Sequence, residues 1–102
     1  MDFNTIKSNL EILDGMDRLS YLIDLSKRNP GINQEFKTNN YKIPGCVSTS
    51  YLKIEQLEPT VIIKAESESD FVNGLLYILK IYVDNKNKKE ILEINEVNLM
   101  ND

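Results

Sequence analysis

The sequence predicts an α+β domain in which helices pack on a small antiparallel β-sheet, and three observations carry that reading. Apolar residues recur at helical spacing on either side of the middle of the chain, first as Phe3, Ile6, Leu10 and Leu13, later as Phe71, Leu75, Ile78, Leu79 and Tyr82. The middle itself, from Val47 to Glu55 and from Thr60 to Glu66, is instead rich in β-branched and alternating residues. Between those two runs, Leu57-Glu58-Pro59 supplies a turn, so the runs pair as a hairpin. At 102 residues, with 41% hydrophobic and 27% charged side chains, the chain has room for one modest core, and a single domain over 1–102 is expected.

Taken in order, the first helical stripe stops at Asp14-Gly15. Asp14, with Asp17 three residues later, resembles an N-terminal cap, and Leu19, Leu22, Ile23 and Leu25 mark the buried side of a second helix that ends at Pro30-Gly31. The segment from Ile32 to Lys42 is polar and Asn-rich and reads as a surface loop. After the hairpin, Ser69 or Asp70 opens the longest helix, whose stripe is broadened by Val72, Leu76 and Val83. A short last helix is expected around Lys88 to Ile94.

Composition removes several function classes. Net charge is −4 and the largest basic group is Lys86, Lys88 and Lys89, so the electrostatic footprint of a nucleic-acid binder is missing. No apolar run approaches the roughly 18–20 residues that span a bilayer, and the N-terminal MDFNTIKSNL is too polar for a signal peptide; a cytoplasmic protein with no membrane partner is expected. There is no histidine and only one cysteine, Cys46. That removes Cys-His and Ser-His catalytic pairs, an internal disulfide, and metal centres built on several cysteines or on histidine. Glu66, Glu68 and Asp70 lie close together, but their spacing matches no calcium loop, so no metal site is expected.

The cysteine sits in Ile43-Pro44-Gly45-Cys46, a sharply turned setting. Pro44 pushes Ile43 toward an extended backbone, and Gly45 permits a positive φ that a β-carbon resists. If the following strand is regular, Cys46 shares parity with Ser48, Ser50, Leu52 and Ile54, and its sulfur leans toward the covered face. A lone thiol is also among the residues most often buried as inert packing.

Three separated stretches resemble a known family. Arg18 with Tyr21-Leu22-Ile23-Asp24-Leu25 is similar to its early helix. Pro44-Gly45-Cys46 with Ser48 and the aromatic Tyr51 resembles its V-P-G-C-x-S-x-x-W signature, and Glu66-Ser67-Glu68 with Gly74-Leu75 resembles its D-S-D-A-x-x-x-x-G-L segment. The family is SufE, the sulfur acceptors that activate cysteine desulfurases, and the resemblance runs from about Met16 to Ile94. It implies an α+β fold like that of iron-sulfur scaffold proteins. For Cys46 it implies transpersulfidation: the thiol takes sulfur from a cysteine desulfurase, stimulates that enzyme and passes the sulfur on to iron-sulfur cluster assembly, with an Fe-S scaffold protein as recipient.

Under the same resemblance Pro44, Gly45 and Ser48 shape the loop, while Tyr51, Glu66, Glu68 and Gly74 serve partner docking. The chain carries no cofactor of its own, because the pyridoxal phosphate resides on the desulfurase, and it is a carrier rather than an enzyme. Tyr51 stands in place of the signature tryptophan, and Asn73 where a lysine is common. The family usually continues into further helices, so the chain is read as one SufE-like domain lacking that extension. Apolar surface left on the long helix would then favour a homodimer. Two other classes keep Cys46 in different roles: a redox-sensing thiol, and an acidic protein-interaction module in which the cysteine is structural.

Overall fold

The computed structural model describes residues 2–57 and 60–84. Their order is helix α1 (Phe3–Ile12), helix α2 (Gly15–Ser26), a single 3-10 turn (Gln34–Phe36), strands β1 (Ser50–Leu57) and β2 (Thr60–Ser67), and helix α3 (Asp70–Val83). Three helices pack on a two-stranded antiparallel sheet, the α+β arrangement expected from the sequence. The short helix expected around Lys88 to Ile94 lies outside the described residues.

Two of the three helices begin where a side chain satisfies a free amide. Asp2 caps α1 by accepting from the Thr5 N–H at 2.8 Å, and that hydrogen bond is the main reason its carboxyl lies below the usual range. Asp14 occupies the N-cap position of α2, as the sequence indicates, but its side chain makes no capping bond there. The Arg18 guanidinium instead donates to the Leu13 carbonyl at 2.8 Å across the junction of the two helices. Ser69 caps α3, its hydroxyl accepting from the Val72 N–H at 3.3 Å.

Helix α3 lies between two apolar layers. On one side Tyr77 joins Ile6, Leu22 and Leu25; on the other Leu76 and Val83 join Ile63 and Ala65 of β2. Leu76 and Val83 are buried as the spacing indicates, but the stripe is otherwise corrected: Phe71 and Leu75 are each 43% exposed, while Gly74 and Tyr77, outside it, are buried. A helix with neighbours on two sides buries a wide arc, and a single-face reading misplaces its centre. Gly74 marks the closest approach: a β-carbon there would collide with the Leu22 carbonyl oxygen, so the missing side chain lets α3 and α2 touch backbone to backbone.

Strand β1 also differs from expectation, starting at Ser50 rather than Val47. The register explains why. Ser50 faces Ser67, the last residue of β2; one step further only the Glu68 N–H reaches back, to the Thr49 carbonyl, before the chain turns into the Ser69 cap of α3, so the ladder ends there. The 32–42 segment, expected to be only a surface loop, carries the 3-10 turn and a bridge between Lys42 and Tyr51. It also covers the polar face of the sheet, where the Phe36 ring lies 4.3 Å from the Lys53 ammonium and meets Tyr41 edge-on.

Candidate functional site around Cys46

The loop between the Lys42 bridge and β1 carries Pro44, Gly45 and Cys46. Gly45 adopts φ +75°, the left-handed conformation that glycine tolerates without penalty. Both ends of the loop are tied down by backbone bonds. The Ile43 N–H donates to the Ser50 carbonyl at 2.8 Å, the Leu52 N–H to the Tyr41 carbonyl at 2.8 Å, and the Glu68 N–H to the Thr49 carbonyl at 3.0 Å. Between those ties Pro44, Gly45 and Val47 are exposed, and Cys46 is half-buried.

The sulfur of Cys46 turns inward, toward the covered face, although residues 46–49 are irregular, with a bend at 47–48, and not the regular strand on which that expectation rested. Its Sγ lies 3.5 Å from the hydroxyl of Ser50, which is completely buried. Ser50 Oγ in turn lies 2.7 Å from Ser67 Oγ and 3.1 Å from the Ser48 carbonyl oxygen. Ser67 Oγ accepts from the Ser69 N–H at 3.2 Å, so the polar chain that starts at the thiol ends at the first amides of α3. Every buried polar side-chain atom among the described residues has a partner.

Sequence reasoning named Ser48 as a loop residue; its carbonyl is the part that takes the Ser50 hydrogen bond. It named Ser50 by parity and Ser67 within Glu66-Ser67-Glu68, but gave neither of them, nor Thr49, a part in the site. Their signal was present in the hairpin, because a turn at 57–60 places Ser50 opposite Ser67 by counting outward. The residues expected at a docking surface separate. Tyr51, Glu66 and Glu68 line one polar recess of about 270 Å³ beside Thr49 and Ser67, whereas Gly74 is inside, at the α2–α3 crossing. Glu66 is already engaged, accepting from Lys37 Nζ at 2.6 Å and from the Ile32 N–H at 3.3 Å. Burial works to raise its pKa, but Lys37 and the Ile32 amide outweigh it and hold the carboxyl below the usual glutamate value.

Among the described residues no group of three or more His, Cys, Asp or Glu side chains is placed to hold a metal ion, and no helix is long and apolar enough to cross a membrane. The arrangement offers one thiol on a glycine turn, exposed on one side and hydrogen-bonded on the other.

Fold and site together define a small α+β domain built to present a single loop cysteine. The chain belongs to the SufE family: residues 4–102 match the family model described as the Fe-S metabolism associated domain. It is 28% identical over 87 residues to an uncharacterized SufE-like protein of Rhizobium meliloti, covering 81% of this chain and 62% of that one. It is 26% identical over 90 residues to the chloroplastic quinolinate synthase of Nicotiana tabacum, covering 86% of this chain and 12% of that protein. The chain thus spans less than two thirds of the length of these curated relatives.

Proposed function

We propose that this chain accepts sulfur on Cys46 from a cysteine desulfurase, stimulates that enzyme, and relays the sulfur to an Fe-S scaffold protein. The observation that carries the reading is the position of the only cysteine, half-buried on a glycine turn tied at both ends, in a chain of a family associated with Fe-S metabolism. The Cys46 thiolate attacks the terminal sulfur of the donor's persulfide. A new S–S bond forms at Cys46 Sγ as the donor's S–S bond breaks, and the donor cysteine leaves as a thiolate with the bonding pair, so no oxidant or reductant is consumed.

The chain acts as a cytoplasmic carrier, without turnover of its own and without a bound cofactor; pyridoxal phosphate stays on the desulfurase. Pro44, Gly45 and Ser48 shape the loop, and Tyr51 and Glu68 face the partner from the polar recess. Phe71 and Leu75, exposed on α3, supply apolar surface for self-association.

Cys46→Ser tests the reading. The oxygen is nearly the same size but cannot carry a persulfide. Incubated with candidate desulfurases and cysteine, the native chain gains the mass of a sulfur atom and raises cysteine turnover. The variant still binds the desulfurase but does neither. Equal stimulation by the variant would sink the sulfur-relay reading and return Cys46 to packing.

A further inference from the structure

We propose that Ser50 is the positioning residue for Cys46, its buried hydroxyl switching from acceptor of the thiol proton to donor toward the thiolate. This deepens the sulfur-acceptor reading and rests on it for its place in a reaction. A serine hydroxyl has one proton and two lone pairs. Around Ser50 Oγ there are three partners: Cys46 Sγ at 3.5 Å, Ser67 Oγ at 2.7 Å and the Ser48 carbonyl oxygen at 3.1 Å. The carbonyl only accepts, so the other two set the proton count.

While Cys46 holds its proton, the S–H donates to Ser50, and the Ser50 proton goes to Ser67 or to the Ser48 carbonyl. Once Cys46 is a thiolate it can only accept, and with Ser50 completely buried no water competes at that oxygen. The Ser50 O–H then rotates onto the sulfur. Ser67 turns its own O–H toward the vacated Ser50 lone pair, and its remaining lone pair keeps the Ser69 N–H at the start of α3. Two hydroxyl rotations thus connect the helix N-terminus, which favours negative charge, to the sulfur that carries it. No proton leaves the serines, and no bond other than hydrogen bonds changes. The same rotation withdraws the Ser50 proton from the Ser48 carbonyl, loosening the loop when the sulfur is ready to react.

The test uses the full chain, iodoacetamide as a probe of the thiolate, and inorganic polysulfide as a sulfur donor that needs no desulfurase. Cys46 takes one sulfane sulfur from the polysulfide, which leaves shorter by that atom and keeps the electron pair. Ser50→Ala is expected to slow both reactions by about tenfold at neutral pH, the lower end of what a hydrogen bond to an ion contributes. Ser50→Thr, which restores the hydroxyl on a side chain suited to a strand, is expected to return both rates to within about twofold of native. A Ser50→Ala protein that unfolds cooperatively yet reacts at the native rate overturns the proposal, as does a folded Ser50→Thr protein as slow as Ser50→Ala. Should Ser50→Ala not fold, Ser67→Ala removes the second hydroxyl and is expected to slow both reactions by about threefold, a weaker effect because it acts through Ser50; a native rate there also overturns it. Slow Ser50→Ala chemistry beside a native chain that takes no sulfur from any desulfurase upholds the role of Ser50 and removes the relay. Equal sulfur uptake from a desulfurase by the native and Ser50→Ala proteins keeps the relay and overturns Ser50.

Discussion

Along the outer edge of β2, side chains from outside the sheet close the backbone. Asn29 Nδ2 donates to the Ala65 carbonyl at 3.0 Å, Asn73 Oδ1 accepts from the Ser67 N–H at 3.1 Å, and Ile63 is held on both sides, its N–H by Asp84 and its carbonyl by Lys80, each at 2.8 Å. Along the outer edge of β1 the closing groups are backbone groups of Tyr41 and Ile43, in the segment that runs directly into Cys46. An edge closed by side chains on α3, on its C-cap and just past the end of α2 moves only with the core. An edge closed by a loop's own backbone opens when that loop moves. The hairpin is therefore held by side chains on the side facing α3 and by the loop's own backbone on the side that bears the thiol, and the sulfur relay proposed above, in which the cysteine reaches a partner and returns, would draw on the second.

The sharpest way to break the fixed side is Asn73→Ala. Asn73 accepts from Asn29 Nδ2 at 2.9 Å and from Ser67 N–H, and donates to the Ser26 carbonyl at 3.2 Å, so one side chain joins the end of α2, the edge of β2 and α3. Removing it leaves several enclosed polar groups unpaired and is expected to lower unfolding stability by about 3 kcal/mol, read from denaturant titration. A loss confined to the cysteine loop, with the global transition unmoved, would reverse the assignment of the two edges.

On the side that bears the thiol, Gly45→Ala is expected to cost about 1 kcal/mol, because alanine must take a left-handed φ although its β-carbon meets nothing nearby. The comparison predicts where that cost appears. Hydrogen exchange should accelerate at the Ile43 and Glu68 amides, which tie the loop, while the Ile63 and Ser67 amides keep their protection. Uniform acceleration across both edges would show that the loop and the sheet open as one unit.

How far each side was legible in the sequence follows from the range of the forces involved. The glycine turn, the hairpin and the helix starting at Ser69 are local, written in neighbouring residues, and the structure has all three. The buried arc of α3 was misread at Phe71, Leu75 and Tyr77 because Tyr77 answers to α1 and α2 while Leu76 answers to β2, two neighbours that spacing within one helix does not contain. Ser50, though placed on the parity of Cys46, went unrecognised as its hydrogen-bond partner for a related reason. In sequence it is one of several serines, and only its pairing with Ser67 brings a second hydroxyl and the start of α3 beneath the sulfur. Asn73 and Lys80 were invisible as edge closures because their partners are main-chain groups on another element.

Ser69→Ala sharpens the link between the two sides, since α3 begins there and Ser67 receives the Ser69 amide. Loss of the capping hydroxyl is expected to cost about 1 kcal/mol in thermal or denaturant unfolding. The Ser69 backbone N–H survives the substitution, so the rate of Cys46 alkylation should stay near native. A large fall in that rate with unchanged stability would move Ser69 from the cap into the thiol's surroundings.

The smallest expected effect concerns Glu66, which ties the 32–37 segment to β2 through Ile32 and Lys37. Its carboxyl is more easily ionised folded than unfolded, since Lys37 and the Ile32 amide outweigh the cost of burial. A depressed carboxyl pKa means that the unfolded chain binds the proton more readily. The contribution is therefore complete above the ordinary glutamate value and disappears as pH falls through the lower folded one. The Glu66 side chain is 35% exposed, so solvent screening limits the contribution to under about 1 kcal/mol. Measured between neutral pH and about pH 3, below the usual glutamate pKa, the native chain should lose slightly more stability than Glu66→Gln, whose amide has no such proton to take up. Asp2 and Glu55 are depressed in the same direction, by the Thr5 amide and by Lys53 and Lys64 respectively, and remain in both proteins, so the difference between the two acid limbs isolates Glu66. Parallel limbs would mean that the Lys37 pair contributes nothing to stability and that the 32–37 segment is held to β2 without it.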